Sequence, residues 1–450
     1  MWTPTLKDSG QPKYLALVEA ITKAIESGEL TVGERLPPQR RLAWNLGLNP
    51  STTMQAYREA ARRHLVSGEV GRGTYVLAGS KEATLFRLKQ PSERSDVIDL
   101  STNVPVTNED SQDEVAALSN LINGRRAQQL QNYLSADHLA FGRAQGAAWL
   151  NARGLNVPPE NVMLCNGAQH GLFMALLSLC QPGEPVLVEA FTAPGIKAAG
   201  RQLRLPLHGI ALDRHGIIPD ELDRMARATG AKVVVLTPTL QNPTSTIMSL
   251  QRQLEIAEVA HQHDLLIIED DVYGALTTTP PLIRLLGKRG LLVTSLSKTV
   301  APGLRVGWMA ADLSVLELID PHAQATHWGI SPLCLGIASQ WISDGTAQRR
   351  LKWQTEETIQ RWRLAKKILG DALYQQLNPS PHVWITSDLP SMTLTQACRA
   401  DLVDVVPAEV FAVKQNDIHA IRISLCAASD RSQLKIALER VARIVARQPA

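Results

Sequence analysis

From about residue 97 onward, short apolar runs alternate with helical stretches, and this alternation limits the possible folds more than any other feature of the chain. The runs at 162–165, 185–188, 232–236, 265–269 and 291–295 have the length and apolar content of buried strands. Stretches with helical spacing, such as 171–180 and 250–263, lie between or beside them. The pattern predicts an α/β fold with a mostly parallel sheet covered by helices. From about 330 it changes. A long charged helix near 348–369 is followed by a smaller α+β pattern and a final helix at 432–446, so a small subdomain is expected over about 330–450.

The first 77 residues read differently. Tyr14, Leu17, Val18, Ile21, Ala24 and Ile25 repeat at helical spacing, and Gly28 suits a helix end. A second short helix is expected over 38–46, closed by Gly47. A third starts at Asn49-Pro50, since Asn favours the N-cap and Pro is tolerated at the first helical position. Its inner face is Thr53, Ala56, Tyr57 and Ala60, and its outer face is Ser51, Gln55, Arg58 and Arg62. Two short strands follow at 65–66 and 74–76, with Gly71-Arg72-Gly73 as the turn between them. Residues 78–95 are polar, mixed in charge and carry a proline, as a linker does. The expected organisation is therefore a head at 1–77, a linker at 78–95 and a large domain at 96–450.

Charge supports a nucleic-acid contact in the head. Residues 1–80 hold ten Lys/Arg and seven Asp/Glu, while the remainder balances, so the whole net charge of +3 sits in the first fifth of the chain. Two helices joined by a tight turn would place the second in a DNA major groove. Gln55 can read adenine through two hydrogen bonds, and Ser51 and Thr52 can meet bases or phosphates. Arg40, Arg41 and Arg72 are candidate phosphate or minor-groove contacts. The alternative is a small helical cap with a solvated basic face. The five cysteines form no CxxC pair, the N terminus lacks the apolar segment of a signal peptide, and no run of about 18 apolar residues could span a membrane. These features speak against disulfides and a zinc or other metal site, leave no membrane-spanning helix, and fit a reducing cytoplasm.

Polar residues gather just after the expected strands of the large domain, where ligands bind in open α/β sheets. The strand at 291–295 leads to Ser295-Leu296-Ser297-Lys298, with Arg305 seven residues on. A desolvated lysine can form a Schiff base with an aldehyde, and Ser295 and Arg305 could hold a phosphate. The strand at 265–269 leads to Asp270-Asp271-Val272-Tyr273, where a carboxylate could face a pyridine nitrogen and a tyrosine a ring hydroxyl. Asn166-Gly167-Ala168-Gln169 opens a helix, and helix N-termini favour phosphate. Asn242-Pro243 follows the strand at 232–236. Singly, each of these is as readily an acidic turn, a loop cation or an ordinary glycine turn.

Two resemblances rest on these residues. The run Leu36-Pro37-Pro38-Gln39-Arg40-Arg41-Leu42-Ala43, with Leu46-Gly47-Leu48, Ala56-Tyr57 and Gly71-Arg72-Gly73-Thr74-Tyr75-Val76, resembles a GntR-type winged helix over about 12–77. One departure is Pro50, where many members carry arginine, so sequence preference leans on Arg40, Ser51, Thr52 and Gln55, and Asn49 completes the expected DNA-binding set. Gly-Ala-Gln, Asn-Pro, Asp-x-x-Tyr, Ser-x-Ser-Lys and the following Arg, in that order, resemble the fold-type I aminotransferases over about 97–450. This second resemblance implies pyridoxal 5'-phosphate (PLP) on Lys298 as an internal aldimine, with Asp270 at the pyridine nitrogen and Tyr273 and Asn242 at the ring oxygen. It implies Gly167, Ala168, Gln169, Ser295 and Arg305 at the phosphate. Tyr133 would reach the phosphate of a partner subunit, and Arg422 would bind a substrate carboxylate. The alternative for Arg422 is a strand arginine in a surface ion pair. A second departure is Ala193 in Phe191-Thr192-Ala193-Pro194-Gly195, where members stack an aromatic ring on the cofactor and where Phe191 could compensate.

Together the two parts resemble the MocR/GabR regulators. That resemblance implies a PLP-dependent transcription regulator that binds double-stranded promoter DNA as a homodimer and responds to an amine, an amino acid or PLP itself. Enzymatic turnover would be residual at most. Two other readings remain: a working aminotransferase with an accessory DNA-binding head, and a dimerisation domain that holds no cofactor.

Overall fold

The computed structural model describes residues 2–6, 12–26, 29–30, 34–62, 65–69, 73–76, 96–107, 111–123, 130, 132–319, 329–373, 376–414 and 418–446. The expected linker at 78–95, together with Gly28, Gly71 and Arg72, lies outside them. The chain divides into two units, Met1–Pro91 and Ser92–Ala450.

In the first unit, α1 (Lys13–Glu26) buries the expected stripe of Leu17, Val18, Ile21 and Ala24. Helix α2 (Gln39–Leu46) stops at Gly47, whose φ of +60° is the left-handed conformation that a side chain would strain. Asn49 starts α3 (Pro50–Arg62): its Oδ1 accepts from the Ser51 N–H at 2.9 Å and from Ser51 Oγ at 2.8 Å. Thr53, Ala56, Tyr57 and Ala60 are buried as their spacing requires. The Tyr57 hydroxyl donates to the Pro37 carbonyl at 2.7 Å, which ties α3 to the segment entering α2. Strands β1 (Val66–Glu69) and β2 (Gly73–Val76) pair antiparallel, Val66 opposite Val76. The backbone around Glu34 and Leu36 also bonds to β2, an edge with no signature in the sequence.

The second unit opens with β3 (Ile98–Asp99), α4 (Gln112–Asn123) and α5 (Ala136–Ala152). Then come β4 (Val162–Cys165), α6 (Ala168–Leu179), β5 (Val186–Glu189), α7 (Pro194–Gln202) and β6 (Leu207–Ile210). A short hairpin, β7 (Leu212–Asp213) and β8 (Gly216–Ile217), precedes α8 (Pro219–Thr229), β9 (Val233–Leu236), α9 (Leu250–Gln262) and β10 (Leu266–Asp270). Next are β11 (Gly290–Ser295), β12 (Gly307–Ala311), α10 (Leu313–Leu316), α11 (Pro332–Ser343) and α12 (Thr346–Leu369). The unit ends with β13 (His382–Thr386), α13 (Ser391–Ala400), β14 (Val403–Asp404), β15 (Val406–Pro407), β16 (Ala420–Ser424) and α14 (Arg431–Ala446).

Seven strands form the main sheet in the order β4-β12-β11-β10-β9-β5-β6. All run parallel except β12, which is antiparallel to both its neighbours. Successive side chains of a strand point to opposite faces, and both faces here are covered. On β11, Leu291 and Val293 enter the layer packed by α6, while Leu292 enters the layer packed by α5 and α11. That double burial is why these strands read as unbroken apolar runs.

A three-stranded antiparallel sheet, β13-β16-β15, builds the smaller part with α12, α13 and α14 around one core. This core extends beyond the expected span of about 330–450. Strand β3 pairs in parallel with β14, and Ile98 and Leu100 are buried there. A two-residue strand is too short to carry a periodic signal, so this return has no trace in the hydrophobic pattern. Among the described residues, no helix is long and apolar enough to cross a membrane, and no cluster of His, Cys, Asp and Glu could hold a metal ion. The five cysteines are all free.

Candidate functional site

Four strands of the main sheet deliver side chains from their carboxyl ends: β4 into Gly167, β9 toward Asn242, β10 into Asp270, and β11 into Ser295 and Lys298. Parallel strands put these ends on one edge of the sheet.

Lys298 is half-buried, and its Nζ donates to the backbone carbonyl of Asn103. The Asn103 side-chain amide donates to the Tyr273 hydroxyl at 3.0 Å and meets Nδ1 of His382 at 3.1 Å. His382 Nε2 lies 2.9 Å from the Gln241 carbonyl. A carbonyl only accepts, so Nε2 carries the ring proton and Nδ1 accepts from Asn103. Burial, then the nearby Arg422 cation, pushes His382 down to about 3, so the ring is neutral. Burial pushes Tyr273 up to about 12.

Asp270 ends β10 and is buried, and its Oδ1 has no hydrogen-bond partner among the described residues. Burial raises this carboxyl to about 7, against the pull of the Lys298 cation. An orphaned buried carboxylate oxygen costs free energy unless a cation or donor meets it. Next to it, Asp271 is spent structurally in a two-pronged pair with Arg153 at 3.1 and 3.2 Å.

Arg422, on β16, is buried. Its guanidinium donates to Asn242 Oδ1 at 3.2 Å and to the Ser101 carbonyl, lies 5.0 Å over the Phe411 ring, and leaves Nε without a partner among the described residues. Burial lowers its pKa to about 10. The surface ion-pair alternative for Arg422 fails, because the side chain is enclosed and its partners are an amide oxygen and a backbone carbonyl.

The phosphate candidates form a second group. Gly167 caps α6 with φ +79° and no side-chain cap. A Cβ there would lie 2.6 Å from the Arg305 guanidinium, so only glycine allows this approach. Arg305 donates to Ser297 Oγ at 3.0 Å, and Ser295 Oγ accepts from the Ser297 N–H at 3.3 Å. Ala168 and Gln169 supply the first N–H groups of α6. The Gln169 side chain is engaged elsewhere, donating to the Gly195 carbonyl at 2.9 Å. Ala193 starts α7, and Phe191 packs on Trp384 with ring centroids 5.5 Å apart. Tyr133 is 73% exposed.

In the head, Arg40, Arg41, Asn49, Ser51, Gln55 and Arg58 are exposed, and Thr52 is half-buried. Ser51, Gln55 and Arg58 share the outer face of α3 with Met54, an exposed apolar side chain absent from the expected reading face.

Sequence reasoning missed Asn103, His382 and Ser297. The first two have no local signal, because each matters only through partners more than a hundred residues away. Ser297 was one residue from the lysine and lay inside the motif already singled out. Glu189 was also missed. It ends β5, is buried, accepts from the Thr237 N–H at 3.0 Å and from the Gln241 amide at 3.1 Å, and is pushed up to about 8 by burial.

The profile of the family described as "Aminotransferase class I and II" matches residues 95–441. The chain belongs to that family. Ahead of this aminotransferase-family unit, the profile of "Bacterial regulatory proteins, gntR family" matches residues 13–76, so the chain joins a GntR helix-turn-helix domain to an aminotransferase domain. It is similar to YdeF of Bacillus subtilis (strain 168), an uncharacterized HTH-type transcriptional regulator, at 25% identity over 450 residues, covering 99% of this chain and 96% of that one. YjiR of Escherichia coli (strain K12), also an uncharacterized HTH-type transcriptional regulator, is 29% identical over 66% of this chain and 69% of its own. Among solved structures, LysN, an α-aminoadipate aminotransferase from Thermus thermophilus, superposes with a TM-score of 0.73 at 20% identity, covering 86% of this chain and 96% of that one. The fold of the second unit is therefore that of the aminotransferases.

Proposed function

We propose that the chain is a PLP-dependent transcription regulator in which an amine or amino acid, sensed at Lys298, alters promoter binding by the head. The observation that carries this reading is the union, in one chain, of an exposed polar reading helix and a buried site with orphaned groups suited to PLP and a carboxylate. The relatives named as regulators, one of them matched along nearly its whole length, support it.

The residues fit the cofactor. Asp270 Oδ1 is buried without a partner among the described residues, and a pyridinium N–H would satisfy it. Gly167 leaves the space that brings Arg305 against the start of α6, and the N–H groups of Ala168 and Gln169 open there. Lys298 would attach PLP, and Ser295, Ser297 and Arg305 would hold its phosphate. Asn242, whose oxygen serves Arg422, would turn its NH₂ to the ring oxygen beside Tyr273. When bound, PLP supplies an electron sink to any amine joined to it. Arg422 would hold the effector's carboxylate, which would meet the unpaired Nε. His382 stays neutral and adds no competing cation.

Ala193 at the expected stacking position favours sensing over sustained turnover, because Phe191 is committed to Trp384. A working aminotransferase is the second reading, favoured by the otherwise complete set of residues. Under the first, the chain acts in the cytoplasm as a homodimer. Head 1–77 joins effector domain 96–450 through linker 78–95, and Tyr133 reaches the partner's phosphate. Gln55, Ser51 and Thr52 read bases, Asn49 positions them, and Arg40, Arg41 and Arg72 hold phosphates. The effector acts through its different affinity for the two states of the dimer.

A gel-shift assay with the DNA upstream of the chain's own gene tests the proposal. Specific retardation that changes when PLP and amines are added is expected. No specific retardation under any of these conditions contradicts it, and steady turnover of an amino donor with a keto acid would favour the second reading.

A further inference from the structure

We infer that Asn103 and His382 form a positioning pair that keeps the Tyr273 hydroxyl a hydrogen-bond donor toward the ring oxygen of the cofactor. The inference rests on the PLP reading above and concerns Asn103, to which that reading gives no role, and His382, which enters it only as a neutral neighbour.

An Asn side chain offers two N–H donors and one acceptor oxygen. Here both donors are committed, one to Tyr273 at 3.0 Å and the other to His382 Nδ1 at 3.1 Å. The Tyr273 oxygen therefore accepts from Asn103, and its single proton goes to another acceptor. Rotating the amide by half a turn would set Asn103 Oδ1 against the lone pair of His382 Nδ1. That lone pair is fixed there because Nε2–H donates to the Gln241 carbonyl at 2.9 Å. His382 thus blocks the flipped amide, and Gln241 fixes the tautomer that does so. In the flipped amide the tyrosine would spend its proton on Asn103.

The pair also bridges distant parts of the fold. Asn103 follows β3, His382 begins β13 of the smaller sheet, and Tyr273 follows β10 of the main sheet. The Asn103 carbonyl accepts from Lys298 Nζ, so one residue touches both the lysine and the tyrosine. Ser245 Oγ donates to the His382 carbonyl at 2.7 Å and holds the start of β13 in place. The charged and titratable groups around the pair are Lys298, Arg422, Asp270, Tyr273 and Cys426. The two cations disfavour a proton on His382, which preserves the accepting Nδ1.

A donor at the ring oxygen favours its anionic form. Losing it should raise the pH midpoint of the visible band that the lysine-bound cofactor gives. Loss of one such hydrogen bond, at about 1.4 kcal/mol, corresponds to a rise of about one pH unit. The test is a spectrophotometric pH titration of the full-length, PLP-loaded protein. Asn103→Leu keeps the branched shape of the side chain and removes the amide's donors and its acceptor. His382→Phe keeps the ring packed beside Tyr273, which lies 5.5 Å away between centroids, and removes the acceptor. Tyr273→Phe sets the full size of the effect.

His382→Phe, which frees the amide to turn and take the tyrosine proton, should shift the midpoint upward, while Asn103→Leu, which leaves no oxygen to take that proton, should stay near the wild-type value, as should Asn103→Leu combined with His382→Phe. An unmoved midpoint in His382→Phe, with a shifted Tyr273→Phe, would overturn the inference, and so would a shift in the double variant as large as in His382→Phe. Should the Asn103→Leu variants not fold, His382→Phe against Tyr273→Phe still decides it. If the wild type shows no visible band, or Lys298→Ala retains it, the PLP reading itself fails, and that outcome is distinct from an unmoved midpoint.

Discussion

The head and the aminotransferase-family unit place their functional residues in opposite ways. The head displays its proposed α2 and α3 contacts on exposed helix faces, where helical spacing alone lines them up. The second unit collects them from segments as far apart as Asn103 and Arg422 and buries Asn103, Asp270, Tyr273 and Arg422, while Lys298 is half-buried and Arg305 exposed. An exposed polar face costs the head little, and under the proposed function it would meet DNA through solvent-facing groups. A buried set is costly until something occupies it: Asp270 is pushed up and Arg422 down, and each keeps an unsatisfied atom. The second unit should therefore respond to ligand and pH in ways the head does not.

The largest expected effect is on stability of the cofactor-free protein. Asp270, Glu189 and Glu269 are all raised by burial, the first to about 7 and the second to about 8. A carboxyl with a raised folded pKa holds its proton longer in the folded state. Its contribution is complete below the unfolded value of about 4 and is lost as pH rises through the folded value. His382 runs the other way, with stability rising between about 3 and 6.5. From about pH 6.5 to 8 the carboxyls act; above that the buried thiols of Cys165, Cys180, Cys398 and Cys426, also raised by burial, add to the loss. Urea unfolding of apo-protein should thus show the second unit weakening from pH 6.5 to 8, by up to about 1.4 kcal/mol per pH unit for each group titrating. Asp270→Asn should flatten that slope, and an unchanged slope would count against the burial argument.

Arg422→Met should weaken the response to a carboxylated amine by roughly 10- to 100-fold, the worth of a charge-assisted hydrogen bond of about 1.5–3 kcal/mol. The same amine without its carboxylate should be unaffected. Equal losses for both, measured by titrating the visible band, would remove Arg422 from effector binding.

Gly167→Ala should cost about 1–3 kcal/mol of stability from the left-handed backbone alone. It should also lower PLP affinity, because the new Cβ, 2.6 Å from the present position of the Arg305 guanidinium, would displace that group. Thermal melts with and without PLP separate the two effects.

The smallest effects belong to the head. Gln55→Ala should cost about 1–3 kcal/mol at a single A·T position, and Arg41→Ala should weaken all sequences alike and reduce the salt slope by about one. Binding titrations over several salt concentrations would show the two patterns reversed if Arg41 read a base.

Legibility in the sequence follows the same contrast. The faces of α1 and α3 could be read by period, because a solvated helix has one buried stripe. The strands of the main sheet could be read as apolar runs, because both sheet faces are covered. The site motifs could be read where each follows its own strand. Strand β12, the β3–β14 pairing and the Asn103–His382 contact could not. Each depends on which distant segment is the neighbour, and no local period carries that information. Ser297 was missed for another reason: in Ser-x-Ser-Lys the family pattern drew attention to Ser295, while geometry gives Arg305 to Ser297.

The proposed control of the head by chemistry at Lys298 can be measured as affinity for the promoter DNA, with PLP present, before and after adding amines, in the wild type and in Lys298→Ala. An amine should change wild-type affinity several-fold and leave the variant unmoved. An equal response in both proteins, or none in either across a panel of amino acids and amines, would contradict it.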